Sequence, residues 1–72
     1  MFTAWIQDSM NNTVKEYDDC IGISVVAFAE MATLYPDILN AIGIIYESDY
    51  VKVVDSTGAH FYPLCIYSVN IG

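Results

Sequence analysis

Arginine is absent from these 72 residues, and lysine occurs only twice, at Lys15 and Lys52. A protein that grips DNA or RNA phosphates needs a basic patch, so direct nucleic-acid binding is excluded, as is attraction to an anionic membrane surface. Glycine is scarce and scattered, at Gly22, Gly43, Gly58 and Gly72, which leaves no phosphate-cradling loop. There is one histidine, His60, so any histidine-based catalysis must pass through it. The two cysteines, Cys20 and Cys65, are too few for a secreted disulfide scaffold. Together with His60 they lack zinc-ligand spacing, and both lie in apolar runs that read as core. No apolar run reaches the roughly 18–20 residues that cross a bilayer. The start, Met1-Phe2-Thr3-Ala4-Trp5, has neither the basic nor the apolar region of a signal peptide. These absences describe a cytoplasmic protein with reduced thiols, without cofactor or metal, and not an enzyme.

What is present is acid on a greasy chain. Nine Asp and Glu residues give a formal net charge of −7, yet 56% of the residues are hydrophobic. Acidic disordered chains lack the apolar material to fold, and this chain has it. The carboxylates therefore belong on the surface of one domain spanning residues 1–72, with a field that favours basic partners. A chain this short buries only about 60% of its unfolded surface, and surplus apolar residues favour a partner or a second copy, so a homodimer is in view.

Residues 2–7 read as a strand, and Asp8-Ser9-Met10-Asn11-Asn12 as a turn. Residues 13–17 read as the return strand of a hairpin. The rival is a helix on which Ile6, Met10, Val14, Tyr17 and Ile21 recur at helical spacing. Ser24 suits a helix N-cap, and Val25, Phe28, Met31 and Tyr35 place a helix over 25–35. Pro36 ends it, or opens a second helical turn over 36–39. Residues 42–47 read as a strand, Ser48-Asp49 as a turn, and 50–54 as a β-branched strand. Asp55-Ser56-Thr57-Gly58 is a turn, and 60–69 a strand that Pro63 confines to an edge or a bulge. The expected order is β-β-α-β-β-β, an α+β two-layer domain with one main helix packed on an antiparallel sheet. Both faces of the last strand are apolar, so something must cover the second one. A partner would do so, and so would the N-terminal segment.

No nucleophile elbow or dense cation loop is present. Asp18-Asp19 and the pair Glu47 and Asp49 are the notable acidic groups. If the carboxylates gather on one side, they offer a surface to a lysine- and arginine-lined groove and can compete with a phosphate backbone there. Asp18, Asp19, Glu47 and Asp49 are then the polar contacts. Tyr46, Tyr50 and Tyr62 are candidate anchors, because tyrosines often dominate interface energy. In size, acidity and tyrosine content, without a shared motif, the chain resembles the accessory inhibitors that phages and mobile elements encode. The resemblance implies a non-enzymatic inhibitor that occupies the basic, nucleic-acid-binding surface of a host enzyme or defence complex. The alternatives are a self-associating structural module without a foreign partner, and a small ligand- or metal-binding domain.

Overall fold

The computed structural model describes residues 1–43 and 45–72. In chain order the elements are β1 (Phe2–Gln7), β2 (Thr13–Cys20), β3 (Gly22–Val26), α1 (Phe28–Leu34), α2 (Pro36–Ile42), β4 (Tyr50–Asp55), β5 (Gly58–Pro63) and β6 (Ser68–Ile71). The strands form two antiparallel sheets of three, ordered β2-β1-β6 and β3-β4-β5.

One residue joins the sheets on the N-terminal side. Ile21 separates β2 from β3, and its N–H donates to the Val54 carbonyl at 2.8 Å. The chain thus leaves the first sheet and enters the second without a loop, as strands do at sheet corners. Within β2, Tyr17 lies opposite Ala4, and Cys20 opposite Phe2. Asp18 and Asp19 therefore share the place opposite Thr3, which is a β-bulge. The extra residue lets Tyr17 and Cys20 both face inward, while the two aspartates are exposed.

The second sheet is the middle of three layers. Val51 and Val53 on one face of β4 pack with Ala4, Ile6, Tyr17 and Cys20 of the first sheet. Tyr50, offset by one residue on the same strand, packs with Val26 and with Met31 and Leu39 of the two helices. Alternation along β4 sends these side chains to opposite faces. The second apolar face is thus covered within the chain, by the N-terminal hairpin and β6.

Several sequence expectations need correction. The order is β-β-β-α-α-β-β-β rather than β-β-α-β-β-β, with two short helices in place of one main helix. Residues 22–26 form a strand, with Ser24 inside it, because a β-branched run finds a ladder partner in β4. The first helix begins at Phe28, behind Ala27 and without a side-chain cap. Pro36 opens the second helix at its first turn, where its missing N–H costs nothing. That helix runs on to Ile42 and is closed by Gly43 at φ +88°, so the strand expected over 42–47 does not form. Ile44 of that expected strand lies outside the described residues, and residues 45–47 have no regular structure. The strand expected over 60–69 is split. Pro63 ends β5, and its carbonyl accepts the N–H groups of Ile66 (3.4 Å) and Tyr67 (3.1 Å) in a tight turn. The chain then crosses to the first sheet, where β6 pairs with β1. Cys65, expected in the core, lies exposed in that turn, while Cys20 is buried; both thiols are free.

The hairpin reading of residues 2–17 holds. Asp8 Oδ1 accepts the N–H groups of Met10 (2.9 Å) and Asn12 (3.0 Å), and Asn11 takes φ +62°, a conformation its short polar side chain tolerates. Among the described residues no helix is long and apolar enough to cross a membrane.

Candidate protein-binding grooves

The first groove lies between β2 and the β4–β5 hairpin and has a volume of about 360 Å³. Its wall carries the carboxylates of Glu16, Asp18, Asp19 and Asp55 against one lysine, Lys15. Glu16 and Asp18 stand two residues apart on the strand. The hydrogen bond to Glu16 and its like charge raise the Asp18 carboxyl above its usual range. Glu16 also accepts the indole N–H of Trp5 at 2.5 Å, across the ladder from its own strand.

At the hairpin end, Asp55 Oδ1 accepts the Thr57 backbone N–H (2.9 Å), the Thr57 hydroxyl (2.6 Å) and His60 Nε2 (3.0 Å). The Thr57 hydroxyl, followed by His60 and the Thr57 N–H, holds the Asp55 carboxyl down at about 2. Thr57 Oγ1 lies 2.8 Å from the same His60 nitrogen. A relay needs the nucleophile on one ring nitrogen and the orienting carboxylate on the other. Here both groups meet Nε2, so the trio clamps a turn and does not activate a hydroxyl. Among the described residues no cluster of His, Cys, Asp and Glu could hold a metal ion.

The clamp makes stability pH-dependent. A carboxyl held below its unfolded value stabilises the fold at pH above about 4, and that contribution is lost as the pH falls towards 2. Asp18 acts with the opposite sign, because a raised carboxyl favours the fold as it protonates. Asp55→Asn is therefore expected to flatten the acid limb of a melting-temperature profile between pH 2 and 6, and Asp18→Asn to raise the melting temperature at neutral pH. Parallel profiles for Asp55→Asn and the parent would show that the clamp contributes nothing.

The second groove, of about 310 Å³, is aromatic and is lined by Tyr46, Phe61, Tyr62, Pro63 and Tyr67, among others. The Tyr17 and Tyr62 hydroxyls are hydrogen-bonded to each other and connect the two grooves. Burial, reinforced by that bond, pushes the Tyr17 phenol well above its ordinary value. The Tyr17 ring stacks on His60 at 4.5 Å and lies 6.2 Å from Tyr62, which meets Tyr67 edge-on at 5.6 Å.

Of the residues singled out in the sequence, Asp18 and Asp19 line the acidic groove, and Tyr46 and Tyr62 line the aromatic one. Glu47 and Asp49 are exposed at the opposite end of β4 from Asp55, about 20 Å away along the strand. Tyr50 is fully buried. Its hydroxyl donates to the Tyr46 carbonyl (3.0 Å) and accepts the Tyr46 N–H (3.3 Å), so it is a core residue and not a surface anchor. Sequence reasoning passed over Glu16, Tyr17, Asp55, Thr57, His60 and Tyr67 as site residues. The Asp-x-Thr spacing in a turn signals the Asp55–Thr57 clamp, whereas no local signal marks the others. No family model, curated protein or solved structure matches the chain.

Proposed function

We propose that this protein is a non-enzymatic, acidic protein-binding module that occupies a basic surface of another protein. Its target would be a surface that otherwise handles nucleic acid, as in a host enzyme or defence complex blocked by a phage-type inhibitor. The observation that carries this reading is the β2 bulge. It turns Asp18 and Asp19 outward together, beside Glu16 and across a groove from Asp55. Such a concentration of carboxylate speeds encounter with a cationic groove and selects against anionic partners. The test is a tagged pull-down from host extract, washed at low and then high salt, with an Asp18→Asn/Asp19→Asn bait beside the parent. The reading expects a basic nucleic-acid-handling protein that the parent holds at low salt, high salt strips, and the variant fails to hold. Equal retention by both baits would overturn it.

One observation favours a second reading, self-association. Ile21, just before the edge strand β3, and Val25, near its end, are 67% and 65% exposed, and an apolar free edge invites pairing. That reading expects a solution mass that rises with concentration and that Val25→Lys returns to monomer. A concentration-independent mass would remove it.

A further inference from the structure

We infer that the two grooves form one recognition track for an extended, arginine-bearing segment of another protein; the inference rests on the acidic-module reading and names what it recognises. The two grooves adjoin where the Tyr17 and Tyr62 hydroxyls are bonded to each other. Tyr17 is buried there and stacked on His60, and Tyr62 and Tyr67, half-buried and edge-on to each other at 5.6 Å, are the rings left open to a partner. Carboxylates of Glu16, Asp18 and Asp19 lie beside one end. The other end opens into the aromatic groove of Tyr46, Tyr62 and Tyr67.

The chain's own cations show how tyrosine is used here. Lys15 Nζ lies 5.6 Å above the Tyr17 ring, and Lys52 Nζ lies 5.6 Å from the Tyr35 ring. Every cationic side chain of the protein is thus seated on a tyrosine. A guanidinium fits such a track better than an ammonium. It is planar, stacks on aromatic faces and forks onto a carboxylate through two N–H groups. Its methylene stem can lie along the apolar wall of Phe61 and Pro63. A second copy of the chain is a poor occupant, since it brings no arginine and a like charge of −7. Phosphate-bearing partners are repelled by the same carboxylates.

The test uses hexa-arginine and hexa-lysine peptides, titrated calorimetrically into the full chain at low and at physiological salt. Hexa-arginine is expected to bind about ten-fold tighter than hexa-lysine, the size of a stacking contribution at a partly desolvated ring. Tyr67→Leu, and independently Tyr46→Leu, should weaken hexa-arginine about five-fold and hexa-lysine by less; near-UV circular dichroism confirms that each variant is folded. Asp18→Asn/Asp19→Asn should weaken both peptides. Equal affinities for the two peptides, unmoved by either tyrosine variant but lowered by the aspartate variant, would overturn the arginine track and leave the acidic-module reading standing. If neither peptide binds, both fail. If light scattering shows a dimer that hexa-arginine splits, the track is occupied by a second copy and the inference is overturned.

Discussion

Tyr50→Ala is expected to remove about half of the protein's stability. Tyr50 is completely buried where β4 meets the helices, packed with Val26, Met31 and Leu39. Truncating a large buried aromatic ring costs about 3–5 kcal/mol through lost transfer energy and the cavity left behind. A chain of this length has a total stability of about 4–11 kcal/mol at the usual ~0.05–0.15 kcal/mol per residue, so one substitution removes a large share. The helices depend on that packing, because each has seven residues and no side-chain cap, and helices this short are marginal on their own. Tyr50→Phe separates the ring from its hydroxyl. It keeps the packing and removes both bonds to the Tyr46 backbone, at a cost of about 1–2 kcal/mol, with faster amide exchange over residues 45–49. Urea titration followed by circular dichroism reads both variants. Equal midpoints for Tyr50→Ala and Tyr50→Phe would show that burial of the ring contributes nothing and would sink the argument.

The second large effect is on binding. Asp18→Lys/Asp19→Lys and Glu47→Lys/Asp49→Lys each shift the net charge from −7 by four units, two for every reversed residue, to −3. If the whole-molecule field alone attracts a basic partner, the two double variants lose equally. If the groove built by the β2 bulge makes the contact, the first loses far more. Steering by a charged cleft is worth about 10–10³-fold in association rate, so the bulge variant is expected to lose about 100-fold and the loop variant less than about ten-fold. Association rates measured against the captured partner across a salt series decide it. The bulge variant should also show the flatter salt dependence, since fewer charges remain to be screened. Equal losses would leave no role for the groove.

How much of this was legible in the chain differs from element to element. The N-terminal hairpin was readable because Asp8, Asn11 and Asn12 make a turn by their own side-chain chemistry. The hairpin at residues 55–58 was readable because Asp55 and Thr57 bond locally and Gly58 takes φ +121°. The helix expected over 25–35 is present from Phe28, but its start is too early, because the helical spacing runs back into a β-branched pair, Val25 and Val26, and only pairing with Val51 and Tyr50 decides for the strand there. Pro63 signalled an interruption, but whether the chain then bulges or changes sheets depends on β1 offering an unpaired edge to β6.

For the site, the acidic residues were visible and their grouping was not. Asp18 and Asp19 face outward together because β2 must pass Thr3 with one residue to spare, a matter of register between strands. Asp55 joins them because β2 and β4 belong to sheets that pack face to face. Tyr46, Tyr50 and Tyr62 look alike in the sequence. Tertiary packing makes Tyr50 a core residue and leaves Tyr46 and Tyr62 on a groove.

The sequence by itself determined the chemical character of this protein: an acidic exterior, no basic patch, a surplus of tyrosine, and turns written in short polar residues. Those are properties of composition and of bonds between near neighbours in the chain. The tertiary structure alone decided which carboxylates stand together, which tyrosines remain accessible and how both sheet faces are covered. Each of these depends on pairing between residues far apart in the chain, and a one-residue change of register sends a side chain to the other face.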